Sequence, residues 1–234
     1  MIPISDDNPS RSAAYVNWAI IALCVAVFLW QLSLGDEVGE RAIFIYGFVP
    51  ALLLGHAKLN AVLNGPAPAL TLITSMFMHG GWLHLGGNML YLWIFGNNIE
   101  DIMGHVRYLV FYLVCGVAAA LTHGLANSDS TIPMLGASGA ISGILAAYVL
   151  VYPGARITVI LPLGVLLYPV KIAAIFVVGF WFAVQLLSAA MTNPAQPGVA
   201  FLAHVGGFCA GLLLTPIFKY SDIPLFGRRR GPWG

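Results

Sequence analysis

Charge is what this chain most lacks: of 234 residues, ten are Lys or Arg and nine are Asp or Glu, 8% in all. A soluble domain carries about a quarter charged residues. With 59% of the residues hydrophobic, soluble packing cannot hide the apolar surface, and the chain reads as an integral membrane protein. A net charge of +1, with no basic stripe interleaved with aromatics, argues against a nucleic-acid partner. Cysteine is scarce too. Cys24, Cys115 and Cys209 fall in separate apolar segments with no CxxC, which argues against a disulfide framework or zinc site and favours small side chains packed among helices. The first residues, with Asp6, Asp7 and Pro9, lack the basic region and early apolar core of a cleaved leader. The first apolar stretch is therefore expected to be a retained span.

What the chain has is apolar runs, and six spans can be drawn through them: Tyr15 to Leu34, Trp82 to Met103, His105 to Leu125, Ser138 to Tyr152, Val170 to Ala190 and Val199 to Phe218. The fourth is short for a full crossing at 1.5 Å rise per residue, so its N-terminus is expected to stop inside the protein. The connection from Gly35 to about Leu72, with Tyr46-Gly47-Phe48-Val49-Pro50 and the pair Pro66 and Pro68, is too long for an idle loop and too apolar for a solvated one. It is expected to lie partly in the membrane interface. Pro162 and Pro169 leave the region between spans four and five ambiguous.

Arg11, Arg107, Arg156, Lys171, Lys219 and Arg228 to Arg230 fall on the side shared by both termini, and only Arg41 and Lys58 on the other. The positive-inside rule puts both termini in the cytoplasm. The expected organisation is a cytoplasmic segment over 1–14, a membrane domain over 15–219 and a cytoplasmic tail over 220–234. Ser138 and His204, each early in a span that starts from the outer face, should then lie at similar depth.

Polar side chains inside lipid are costly and mark function. A serine hydroxyl needs a base to become a nucleophile at neutral pH. No Asp or Glu lies between Asp129 and Asp222, so the pattern supports a Ser-His dyad and gives no local support to a triad. Gly136-Ala137-Ser138-Gly139-Ala140 departs from Gly-x-Ser-x-Gly and lacks the strand of a hydrolase elbow. Gly139 and Gly143 form a small-xxx-small pattern that lets helices approach closely, and Gly207 and Gly211 after His204 supply small residues on a partner helix. In span two, His84 and Asn88 are four residues apart and share one helix face. Together they can donate to an oxyanion, or form an interhelical polar contact. His79 and His84, five apart, are poorly spaced for a shared metal. His56, His105 and His123 have no consistent partner, and interfacial or structural roles fit them better.

Gly136-Ala137-Ser138-Gly139, His84-x-x-x-Asn88, Ala203-His204-x-x-Gly207-x-x-x-Gly211 and Gly96-x-x-x-Glu100-x-x-x-Gly104 resemble, in order and spacing, the motifs of the rhomboid family of intramembrane serine proteases. The match runs from about Tyr46 to Leu213. The resemblance implies an all-α fold: a six-transmembrane-helix bundle with a long interfacial first loop and a water-filled cavity opening outward. Ser138 would attack the peptide carbonyl, and His204 would take and return the proton. His84, Asn88 and the Ser138 amide would hold the oxyanion. Gly136, Gly139, Gly207, Gly211 and Glu100 would be structural, Glu100 capping backbone or pairing with Arg107. Substrates would be single-span membrane proteins cut where the helix unwinds, because a helix hides its carbonyls until its hydrogen bonds open. Span five and the loop before span six would form the gate. No cofactor and no metal is implied, and membrane lipid is the other partner.

The pattern is departed from twice. Ser142 stands where members often carry a Tyr that stacks under the histidine, and no Trp-Arg pair occurs between Gly35 and Thr71. The expected activity is intramembrane endopeptidase, in a bacterial inner membrane. Its rivals are a catalytically silent module that binds transmembrane clients and a small transporter. The first has no need of both Ser138 and His204. The second should have inverted repeats, and none is evident.

Overall fold

The computed structural model describes residues 2–55, 57, 65–163, 166–191 and 198–227. Among the described residues, four helices are long and apolar enough to cross a membrane: α1 (Tyr15–Ser33), α7 (His105–Ala126), α9 (Ala174–Met191) and α10 (Phe201–Phe218). The second expected span is one helical run in three pieces, α5 (Trp82–Tyr91), a π-helical stretch (Leu92–Gly96) and α6 (Asn97–Met103). α8 (Ser138–Val151) is the fourth. Its 14 residues span about 21 Å at 1.5 Å each, and from Gly139 to Val149 every one is buried. A helix apolar on all sides belongs at the centre of a bundle, and α7 and α10 pack both on α8 and on each other.

The connection after α1 is more structured than a loop. A turn at Gly35 (φ +70°) leads directly into α2 (Gly35–Tyr46), followed by the short helices α3 (Pro50–Leu53) and α4 (Thr71–Thr74). His56 and Lys58 lie outside the described residues, as do the 192–197 loop and Arg228 to Arg230.

The fold is mostly helical, and the strictly all-α expectation is corrected by a three-stranded antiparallel sheet of order β1-β2-β3. It comprises β1 (Ile2–Asp6), β2 (Arg156–Leu163) and β3 (Leu166–Ala173). Val170 to Ala173, expected to open span five, are strand, and α9 begins at Ala174. The reason is period-two patterning rich in β-branched residues: Ile157 and Val159 are fully buried, and Arg156 faces out. Pro169 is tolerated because β3 is an edge strand, where a missing N–H interrupts no second ladder.

β1 ties the N-terminal segment to the helices. Tyr148 of α8 donates to Asp6 at 2.5 Å, Arg156 N–H donates to Asp7 Oδ1 at 2.8 Å, and Ser12 donates twice to Asp101. Burial pushes the Asp6 carboxyl up to about 6, against the opposing Tyr148 hydrogen bond. A carboxyl raised above its unfolded value of 3.8 favours the folded state most at low pH and loses that contribution as pH rises through the folded pKa. Amide exchange in β1, corrected for intrinsic rate, is therefore expected to slow between pH 7.5 and pH 5. Asp6→Asn should remove this dependence, and an equal pH response in the variant would disprove it.

The start of α1 has no side-chain cap of its own, since Ala14 occupies the N-cap. Glu100 supplies it from α6: its oxygens accept the N–H groups of Val16 at 3.0 Å and Asn17 at 2.7 Å, and it pairs with His105. A carboxylate at a helix N-terminus satisfies orphan donors and complements the dipole. Arg107 is not its partner and lies over the Tyr220 ring instead. Asn17, fully buried, donates to the Leu92 carbonyl in the π-helical stretch and accepts from Tyr108.

Candidate active site

Ser138 is the first residue of α8, and the chain before it is clamped. Phe48 and Met134 exchange backbone hydrogen bonds of 2.9 and 2.8 Å, and Gly136 N–H donates to the Ser75 carbonyl at 2.9 Å. Gly136 has φ +115°, where a side chain is strained. A Cβ there would also fall 2.5 Å from His84 Nε2, so the glycine makes the turn and leaves room for the imidazole.

Close approach of α8 and α10 brings Ser138 and His204 together. A Cβ on Gly211 would lie 2.6 Å from Gly143 Cα, one on Gly207 would meet the Gly139 carbonyl group, and one on Gly139 would lie 2.6 Å from Ala119 Cβ on α7. Backbones this close admit only hydrogen at those positions. His204 Nε2 then stands 2.8 Å from Ser138 Oγ.

Two neighbours of His204 escaped the sequence reading. Gln185 Oε1 of α9 lies 2.7 Å from His204 Nδ1, and the Trp181 ring lies 5.9 Å from the imidazole at 35°. Ring support thus comes from α9, with Phe201 edge-on from α10. Ser142 leaves His204 alone and donates to the Ser138 carbonyl one turn back, at 2.7 Å. The signal for Gln185 was present: it is the one amide or charged side chain between Lys171 and Ser188, in an otherwise apolar helix.

His84, Asn88, Ser138 and His204 line one cavity of ≈ 890 Å³. Asn88 Nδ2 is buried in it without a hydrogen-bond partner among the described residues. Gly80 N–H approaches His84 Nδ1 at 3.4 Å, and with Nδ1 accepting, Nε2 carries the hydrogen of the neutral ring. The N-terminus of α8 adds backbone N–H groups with no intrahelical acceptor. His123 lines the same cavity, with its Nδ1 buried and unpaired among the described residues. His79 instead joins α1 to the approach to α5: Gln31 bonds both its N–H and its carbonyl, and its ring meets that of His84 edge-on at 5.2 Å. Cys24 and Cys115 are buried, and Cys209 is exposed.

The family model of the Rhomboid domain matches residues 67–221, more than half of the chain. The chain belongs to the rhomboid family. With its apolar helices, it is an integral membrane protein. RHOMBOID-like protein 1 of Arabidopsis thaliana is 31% identical over 164 residues, covering 70% of this chain and 38% of that protein. Rhomboid protease AarA of Providencia stuartii is 29% identical, covering 89% of this chain and 77% of the relative. Rhomboid protease GluP of Bacillus subtilis is 28% identical, covering 91% and 36%. The chain therefore spans about two fifths of the plant relative's length, and most of that of AarA. The rhomboid match takes in α4 to α10 and every cavity residue named above.

Proposed function

We propose that this chain is an intramembrane serine endopeptidase that hydrolyses a peptide bond in or near the transmembrane segment of single-span membrane proteins. The observation that carries the reading is the 2.8 Å pairing of Ser138 Oγ with His204 Nε2 in a cavity shared with Asn88 Nδ2, which is unpaired among the described residues. Ser138 Oγ attacks the scissile carbonyl carbon as its proton passes to His204 Nε2. His84 Nε2–H, Asn88 Nδ2 and the Ser138 amide receive the developing oxyanion. Collapse expels the amine, which takes the proton from His204, and leaves an acyl ester on Ser138. Water, deprotonated by His204, then releases the acid and restores the serine.

In this reading six segments cross or enter the bilayer: α1, the α5–α6 run, α7, α8, α9 and α10. Both termini are cytoplasmic, residues 1–14 and 220–234 flank the membrane domain, the connection after α1 lies partly in the interface, and lipid surrounds the bundle. In this reading the membrane is a bacterial inner membrane, bacterial rhomboid proteases being among the relatives. The mechanism calls on no cofactor.

The test is cleavage of a labelled model transmembrane substrate by the purified protein in liposomes, with Asn88→Ala alongside. Wild type is expected to cut. Loss of one oxyanion donor is expected to lower kcat by about 10²-fold with KM little changed. Binding of the substrate without cleavage by wild type would replace this reading with that of a silent client-binding module.

A further inference from the structure

No acidic side chain is within sequence reach of His204 on its own helix, yet its Nδ1 is not idle. Gln185 Oε1 sits 2.7 Å away, and both side chains are at least nine-tenths buried, at 7% and 8% exposure. The orientation of the amide follows from its other end. Gln185 Nε2 lies 3.3 Å from the Trp181 carbonyl, one turn back on α9. A carbonyl only accepts, so the NH₂ faces Trp181 and the amide oxygen faces His204. An amide oxygen only accepts as well, so His204 Nδ1 must carry the hydrogen. Nε2 is then the bare nitrogen, and it is the one 2.8 Å from Ser138 Oγ.

From this chain of contacts we infer that Gln185 is a positioning residue that fixes His204 in the Nδ1–H tautomer and so makes Nε2 the base for Ser138. The inference rests on the proteolytic reading above, and adds a neutral third member to the dyad. An amide performs the orienting half of what a carboxylate does in a triad, and it avoids an ionised group inside a lipid-embedded bundle.

The location of Gln185 has a consequence. α9 is the least buried of the four long apolar helices, with 22% of its apolar stretch buried against 28–39% for the others. It meets α10 through Gln185, Trp181 and the Phe182–Phe208 stack, with ring centroids 4.0 Å apart. Ser138 and His204 are held by the glycine contacts of α8 and α10, whereas the tautomer is held from α9. Displacing α9 leaves the dyad assembled and its imidazole unoriented.

The experiment compares wild type, Gln185→Met and Gln185→Glu in the full chain, with thermal melting to establish that each is folded. Met keeps the volume and removes the acceptor; Glu keeps the acceptor. Three quantities are read: kcat and KM on a transmembrane substrate, the rate at which a small fluorophosphonate labels Ser138, and the imidazole ¹⁵N shifts of His204. Gln185→Met is expected to lower both kcat and the labelling rate about tenfold or more with KM within twofold. It should also turn a single Nδ1–H signal into a mixture of tautomers. Gln185→Glu is expected to recover most of the labelling rate. A folded Met variant that labels and cleaves within twofold of wild type overturns the inference, and so does a Glu variant as slow as Met. The ¹⁵N shifts separate the two ideas: a silent wild type with an unmixed Nδ1–H tautomer that is lost in Gln185→Met refutes proteolysis but not the orienting contact. A wild-type mixture of tautomers refutes the contact, whatever the activity.

Discussion

Ser138→Ala and His204→Ala are each expected to abolish cleavage, with kcat falling by about 10⁴-fold or more, while the bundle stays folded. Serine and base act as one unit, so removing either costs nearly as much as removing both. The double variant should therefore be no slower than the worse single one. Stability is a separate matter. Ser138→Ala removes one partly buried hydrogen bond, worth about 0.5–1.5 kcal/mol, and leaves α8 able to start at the same residue. His204→Ala empties more volume beside Trp181 and Phe201 and should melt lower. The measurement is single-turnover cleavage in liposomes with melting curves on the same samples. Folded variants that cut at the wild-type rate would remove both residues from the chemistry.

The second large effect needs only one methyl group. In Gly207→Ala the new Cβ falls on the Gly139 carbonyl group, 2.9 Å from its carbon, and 3.4 Å from Ala119 Cβ. Backbone cannot swing aside as a side chain does, so α10 must move off α8. Overpacking of this kind costs about 1–3 kcal/mol or more. His204 is one turn before Gly207 and Ser138 is next to Gly139, so the displacement acts directly on the 2.8 Å pair. A lower melting temperature and at least tenfold loss of kcat are expected together. Gly179→Ala in α9 is the matched control, since a Cβ there meets nothing within 4 Å. It should be neutral, or stabilising by up to about 1 kcal/mol through helix propensity. Equal melting and equal activity for both variants would mean that α8 and α10 are not in backbone contact.

Several helix boundaries were legible one dimension at a time. α1, α7, α8 and α10 begin or end within two residues of the apolar runs that suggested them. The region after Tyr152 was not. Its two prolines obscured a hairpin whose evidence is the alternation in Arg156–Leu163, and the strand that completes the sheet comes from residues 2–6. The cap on α1 was equally hidden, because Glu100 stands more than 80 residues along the chain from the N–H groups it accepts.

By itself, the sequence determined that this is a membrane protein, that a serine and a histidine lie early in two apolar helices, and that small residues on both allow those helices to touch. Each follows from composition or from spacing within one segment, which helix geometry converts directly into a face and a depth. The tertiary structure alone decided that α9 reaches His204 with Gln185 and Trp181, that Ser142 turns back to its own helix, and that Asn88 Nδ2 faces the cavity unpaired among the described residues. Periodicity narrows a residue to a face, but the rotation and offset of one helix against another set which two side chains come within 3 Å. Those are fixed by the sum of the packing contacts between helices, which no single segment contains.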